Sequence, residues 1–479
     1  MSAPGSTADT AFRVADRLRK LPGPWDVYAE RTRSYELHLQ GPAIELARGP
    51  ILLEGYGLRL MRDREKKTAI GFQASTDSSE EGVRAVVEDA EKVSRYSEFP
   101  AKDVELPSGG TSGAPSPEVV DAALWNDAPR TLAAYTASLI AAFEGRKGVG
   151  ISFGSVKALL VEVTLANSAG LSASYAETVI ALEVAIKASG GPEGAAPGEY
   201  WMTSFGRRLE PDRLPQEADD WARFAQDARR AKSPPNGELT VVLPPSVLEG
   251  ILPASLGMKL SGSGELRKLS PAPASQVAPP GIDLYDDGTI AWGTGSAPLD
   301  DEGTPQRRRT LIVQGKISEL LYDSVYGNAL GHASTGSGIR VDAFGGAGWR
   351  RFTRSPEPHT ATMVVPPGDG GTDAELAEQA GEGIWVQQLG WASPDPFTTA
   401  FGGEIRIGYR IRHGKIAEPI RGGTLGGLVL GPQGAPSLLA NLSSVGSRPE
   451  LSGRVYVPPL LVRGLTVSSD ERPAATAAP

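Results

Sequence analysis

The sequence contains no cysteine. That absence excludes disulfides, thiolate metal ligands and a cysteine nucleophile. Histidine is nearly as scarce: His38, His332, His359 and His413 are the whole supply. They lie far apart, and none forms a pair at metal-binding spacing. No apolar run approaches the roughly 18 residues that a membrane span requires, so no membrane role is expected. Positive charge is in deficit, with 48 Lys and Arg against 57 Asp and Glu and a net charge of −9. A chain that grips a phosphate backbone needs a basic face, so nucleic acid is not an expected partner. The short basic runs Arg307–Arg309 and Arg350–Arg351 are expected to be solvated strand edges or ion-pair partners. The first ten residues have no basic segment followed by an apolar core, so no signal peptide is expected and a cytoplasmic location is the default.

What is abundant is turn chemistry: 58 Gly and 39 Pro favour many short strands over long helices. With 40% hydrophobic and 22% charged residues, a sizeable core can be buried. A length of 479 residues predicts two or three domains at roughly 150 residues each. We divide the chain into an N-terminal tail and short helix (1–22), an N-terminal α+β domain (23–232), a β-rich C-terminal domain (233–469) and a disordered tail (470–479). The main boundary falls in Ser233-Pro234-Pro235-Asn236-Gly237.

Alternating side chains predict strands over 27–39, 51–61 and 68–74. Ser78 with Glu81 reads as a capping box, opening a helix to Tyr96 that carries Val83, Val86, Val87, Ala90 and Val93 at helical spacing. Asp127 and Pro129 open a second helix, and a third spans 211–231. Between them a meander runs over 149–156, 159–166 and 171–188, with Asn167-Ser168-Ala169-Gly170 as its last turn. The second half begins with a strand at Leu239–Leu243, a helix from Ser246, and a polar loop from Ser261 to Gly281. Short strands follow as far as Val467, interrupted by a helix at 372–382 and a helix-like segment at 437–445. The fold class is therefore α+β: a mixed α/β-sheet domain, then a barrel-like β-rich domain.

The densest stretch runs from Leu299 to Arg340. It joins an acidic turn (Asp300, Asp301, Glu302, Gly303), a hairpin turning at Gln314-Gly315, and a glycine loop (Thr335, Gly336, Ser337, Gly338). Such density marks the wall of a site. Three consecutive acids cannot all face one point, so ion pairing with the following arginines is favoured over a paired-carboxylate acid/base site. Asp283, Asp286 and Asp287 lack the later glutamate of a calcium loop. Ser334 and Ser337 have no identifiable base. The glycines suit close backbone approach to a peptide or a partner loop. The candidate peptide-cleft or subunit-contact residues are Asp301, Glu302, His332, Thr335, Gly336, Ser337, Gly338 and Arg340.

The order of motifs resembles the TldD/TldE (PmbA) family, the modulators of DNA gyrase, over about Trp25 to Ser469. It rests on Asn167–Gly170, Pro235-Asn236-Gly237, Asp301-Glu302-Gly303-Thr304-Pro305 and Thr335–Arg340, then on His413–Gly422 and Pro459–Val467. The resemblance implies a two-subunit zinc metallopeptidase, in which TldD-type chains bind zinc through a His-Glu-x-x-x-His helix and a later cysteine. Here the equivalent helix reads Leu248-Glu249-Gly250-Ile251-Leu252-Pro253, and the expected cysteine falls near Ser452. Both histidines and the cysteine are gone. Glu249 is left as a vestige of the general base, expected to face solvent. The resemblance thus implies a TldE-like subunit with no metal of its own, inactive alone, with zinc in a TldD-like partner and an unfolded or short peptide as substrate. Two alternatives stand beside it: a stand-alone peptide-binding or scaffold protein, and a divergent member that matures a peptide-derived metabolite.

Overall fold

Long antiparallel strands dominate the first half. The computed structural model describes residues 6–65, 67–108, 113–190, 197–341, 351–432 and 434–470. Helix α1 (Thr7–Leu18) is capped by Ser6 and Asp9, each side chain bonding the other's backbone N–H. Then come β1 (Trp25–Gln40), β2 (Ala43–Arg64), β3 (Lys67–Ser75), α2 (Glu80–Ser94) and α3 (Ala122–Ala141). β4 (Val149–Asn167), β5 (Ser172–Ala188), β6 (Gly198–Gly206) and α4 (Leu214–Arg230) complete this half. The six strands form one sheet in the order β3-β2-β1-β4-β5-β6.

The two faces of that sheet differ. Odd-numbered β1 residues (Trp25, Val27, Ala29) pack with Leu58 and Leu60 against Val14, Leu18, Val83 and Val87 of α1 and α2. Further along the same face, Leu39, Leu160, Leu182 and Val184 pack against Leu132, Leu139, Trp221 and Phe224 of α3 and α4. The opposite face carries even-numbered β1 residues (Asp26, Tyr28, Glu30, Thr32, Ser34), all buried although mostly polar. It is the seat of the second half.

That half contains β7 (Gly237–Leu243), α5 (Pro245–Glu249), α6 (Leu252–Lys259), α7 (Gly262–Leu266), β8 (Leu284–Asp287), β9 (Arg308–Val313) and β10 (Lys316–Ile317). α8 (Ser324–Leu330), β11 (Gly338–Ile339), β12 (Glu357–Pro358), β13 (Met363–Val364) and α9 (Asp373–Ala380) follow. The last strands are β14 (Gly383–Gly390), β15 (Ala400–Arg412), β16 (Lys415–Ile420), β17 (Thr424–Leu428), β18 (Leu442–Val445), β19 (Glu450–Ser452), β20 (Val455–Val457) and β21 (Leu460–Ser468). Pairing runs β14-β7-β21-β17-β15, and β15 pairs back onto β14, closing a five-stranded barrel. A second sheet, β10-β9-β8-β13-β20-β19, lies beside it.

The α+β class and the barrel are as expected, but several local expectations fail. The cap of α2 is Ser79, one residue after the expected Ser78, and its side chain accepts the Gly82 N–H. α3 starts earlier, capped by Asp121, and kinks at Asp127, two residues before Pro129. The segments 149–156 and 159–166 are one strand, paired with β5 from Val149 and with β1 from Phe153 onward. The polar loop after Ser261 contains α7. The expected helix at 437–445 gives way to β18, whose Leu442–Val445 backbone pairs with β21. Between β20 and β21, Pro458 and Pro459 supply no N–H for a ladder.

Candidate functional site

The acidic turn is knitted by its own first residue. Asp300 Oδ1 accepts the N–H groups of Glu302, Gly303 and Thr304 at 3.1, 2.9 and 2.8 Å, and Oδ2 accepts the Gly338 N–H at 2.9 Å. Asp301 Oδ2 accepts the Arg340 N–H at 2.6 Å. Glu302 accepts the Ser324 N–H at 2.7 Å and Arg59 Nη2 at 2.6 Å. The three acids therefore face three directions, each with donors of its own. Glu302 is ion-paired, but with Arg59 of β2 and not with an arginine that follows the turn, while Asp300 and Asp301 accept backbone N–H groups.

The glycine loop makes its close approach to the chain's own acidic turn. A Cβ on Gly338 would lie 2.7 Å from the Glu302 carboxyl, and Gly336, at φ +75°, would place one 2.9 Å from the Pro305 carbonyl. The Thr335 and Ser337 hydroxyls bond each other at 2.9 Å, and Thr335 also accepts the Tyr322 N–H. His332 is exposed and stacks on Tyr322, ring centroids 4.5 Å apart. In the basic run, Arg309 is fully buried, pairing with Asp286 at 2.8 Å and donating to the Thr335 and Gly336 carbonyls. It is an ion-pair partner and not a solvated edge. Arg307 pairs with Glu319 at the surface. Arg350 lies outside the described residues.

The polar face of β1 meets this turn. Arg59 binds Asp26 through Nε at 2.8 Å while its Nη2 reaches Glu302. The Arg340 guanidinium stands 4.8 Å from the Tyr28 ring centroid and 3.7 Å from Asp26. Arg351 pairs with Glu177 at 2.6 Å and lies 3.8 Å from Glu30. Arg207 also pairs with Glu177 and donates to the Gly293, Thr294 and Ser296 carbonyls. Beside this network opens a cleft of about 540 Å³, including space open to solvent, lined by Tyr175, Glu177, Arg207, Asp301, Arg340 and Arg454, among others. Of the candidate contact residues, Asp301 and Arg340 line it. Glu302 and Thr335–Gly338 are buried behind it, and His332 is not among its walls.

Residues from the first half that sequence reasoning missed are Asp26, Tyr28, Glu30, Arg59, Tyr175, Glu177 and Arg207. One signal was available: Asp26, Tyr28 and Glu30 alternate with Trp25, Val27 and Ala29, marking a strand with one face carrying acids.

The positions equivalent to the family's metal helix lie close by, at α5 and α6. Leu248 is fully buried in the apolar core, and Pro253 is buried at the start of α6. Glu249 does not face solvent as expected. It is partly buried and accepts the Ser452 hydroxyl at 2.7 Å. Burial raises its carboxyl above the usual range, with Ser452 and Arg454 pulling the other way. A Cβ on Gly453 would fall 1.6 Å from Glu249 Oε1, so a glycine there lets the backbone pass the carboxylate. The fold thus unites 249 and 452, but with Leu, Pro and Ser at the ligand positions the residues present do not fit a zinc centre. Among the described residues no group of three His, Asp or Glu is placed to hold a metal ion.

His359 sits near this region. Arg454 Nη2 and the Thr360 carbonyl oxygen each lie 3.3 Å from its Nδ1. Burial, then Arg454, pushes its pKa down to about 3. A base depressed on folding stabilises fully above its unfolded pKa of about 6.5, and that stability is lost as pH falls from there toward 3. Urea unfolding at pH 7 and about pH 4.5 should show His359→Gln losing less stability than wild type on acidification, by on the order of 2 kcal/mol. Equal losses in the two proteins would refute the assignment.

Fold and site together define a two-part α+β chain whose polar sheet face seats a barrel-containing half beside a solvent-open cleft. Residues 236–469 match the family model described as the PmbA/TldA metallopeptidase C-terminal domain. The chain is 27% identical over 212 residues to a metalloprotease TldD homolog of Haemophilus influenzae, covering 42% of each. It is 26% identical over 290 residues to a metalloprotease of Methanothermobacter thermautotrophicus, covering 59% of each. These matches span less than two thirds of either relative. Among solved structures, a Thermotoga maritima protein named as a modulator of a DNA gyrase superposes with TM-score 0.78 at 17% identity, covering 97% of this chain and all of that one. TldE from Thermococcus kodakarensis gives 0.75 at 18%, covering 95% of this chain and all of that one. Residues 236–469 are thus similar to the PmbA/TldA metallopeptidase C-terminal domain, and the chain shares its fold with these two solved structures.

Proposed function

We propose that this chain is the TldE-like, zinc-free subunit of a heteromeric TldD/TldE-type metallopeptidase acting on unfolded or short peptides, its solvent-open cleft serving as part of the peptide-binding wall. One observation carries the reading: the three positions where the family resemblance expects zinc ligands hold Leu248, Pro253 and Ser452, and the remaining Glu249 is engaged by Ser452. A carboxylate without a metal-bound water beside it has nothing to activate. Zinc and its water would come from a TldD-like partner, with this chain contributing binding surface. The test is purification of the chain alone and with a co-encoded TldD-like protein, with zinc content and peptide hydrolysis measured on both. Hydrolysis is expected only from the pair, with zinc at one ion per pair. Stoichiometric zinc and hydrolysis by the lone chain would overturn the proposal.

A further inference from the structure

The C-terminal half covers the polar face of the sheet along a seam that stops short of the sheet's far end. Leu159 of β4 and Val179 of β5 still pack in the core shared with Leu299 and Phe352. Beyond them the register sets Lys157 beside Ala181 and Phe205, Ser155 beside Glu183 and Thr203, and Phe153 beside Ala185 and Trp201. Antiparallel partners point to one side of a sheet, so these residues share the face that carries Tyr175 and Glu177. The same strands thus bear the cleft at one end and an open stretch at the other. Arg207 of the cleft and Trp201 are roughly 20 Å apart along an extended chain.

Three aromatic side chains stand on the open stretch. Phe153 is 37% exposed, Trp201 39% and Phe205 45%. Phe153 and Trp201 flank the fully buried Ala185, and their rings meet edge to face with centroids 5.9 Å apart. Glu183 Oε1 accepts the Trp201 indole N–H at 3.0 Å, and Gln388 of β14 donates to the Trp201 carbonyl. The pair is therefore set in one orientation before anything binds, which lowers the ordering cost of engaging it. The exposed parts of the three rings amount to on the order of 250 Å². A stable subunit interface takes about 800 Å² from each partner. The smaller area suits one or two side chains of a peptide.

We propose that Phe153, Trp201 and Phe205 form a subsite for aromatic or branched aliphatic side chains of an extended peptide that continues out of the cleft. This rests on the reading of the cleft as part of a peptide-binding wall, and adds to it a preference for apolar residues on the stretch of peptide between Arg207 and Trp201. The three residues select by binding and take no part in bond cleavage.

The test is fluorescence anisotropy of the full chain with two labelled, unfolded peptides of equal length and charge, one carrying Phe and Leu at alternate positions and the other Ser. Wild type should bind the apolar peptide about tenfold more tightly, the scale set by burying one such side chain. Trp201→Ala and Phe205→Ala should each remove most of that preference and leave binding of the Ser peptide unchanged; either variant serves if the other does not fold. Phe12→Ala removes an exposed aromatic from α1, which packs on the opposite face, and should leave both affinities as in wild type. Equal affinity for the two peptides, or equal losses in Trp201→Ala and Phe12→Ala, would overturn the subsite and leave the peptide wall standing. Binding of neither peptide would overturn both. Loss of association between Trp201→Ala and a TldD-like protein in the absence of peptide would make the row a subunit contact, and would likewise overturn the subsite.

Discussion

Replacing Arg59 with methionine should destabilise the chain by about 3–5 kcal/mol, the range for removing one partner of a buried ion pair. Arg59 is 1% exposed and is the shared cation of Asp26 and Glu302. Methionine fills much of the same volume, so the loss is electrostatic and not a cavity effect. Two carboxylates would be left in a protein interior, where an unpaired charge is far costlier than in water. Adding Glu302→Gln should recover part of the loss, since it removes one stranded charge while keeping an acceptor for the Ser324 N–H. Urea unfolding of the single and double variants measures both effects. A single-variant loss under about 1 kcal/mol would place the seam's stability in its apolar contacts instead.

The second large effect is expected at Gly57, on the same face of β2. A Cβ there would lie 2.2 Å from the Phe352 carbonyl oxygen, 3.1 Å from the Phe72 ring and 3.3 Å from Arg340 Nη1. The nearest neighbour is backbone, so it cannot swing aside as a flexible side chain would. Phe352 also packs on Gly55, where a Cβ would fall 2.3 Å from its ring. Gly57→Ala should therefore lift the 351–353 turn off the sheet and cost about 3 kcal/mol through overpacking. Gly150→Ala, in β4 with open space around the position, is the matched control and should stay within about 0.5 kcal/mol of wild type. Equal effects of the two alanines would mean that the Phe352 contact does not hold the seam.

Much of the fold was legible because it rests on local patterns. The alternation in β2 and β5, the helical spacing of Val83, Val87 and Ala90, and the turns at Asn167–Gly170 and Gln314-Gly315 all appear where chain chemistry requires them. The failures have a common cause: long-range pairing overrode local propensity. Ser437–Val445 reads as helix in isolation, but β21 offers Leu442–Val445 a ladder. Neighbours on both sides hold β4 continuous where its own sequence suggests a break.

The sequence by itself determined that no thiolate chemistry is available, and that Leu248, Pro253 and Ser452 stand where the family resemblance expects zinc ligands. Those are statements about residue identity, and folding cannot change them. Only the tertiary structure decided what the charged residues do. Asp26, Arg59, Glu177 and Glu302 are separated by up to hundreds of positions, and none is informative alone. Their meaning arises when the polar face of a sheet is buried against a turn from the other half, because removal from water forces each charge to find a partner or a proton. Glu249 shows the same division: its vestigial position was readable, but its bond to Ser452 required two segments some two hundred residues apart to meet.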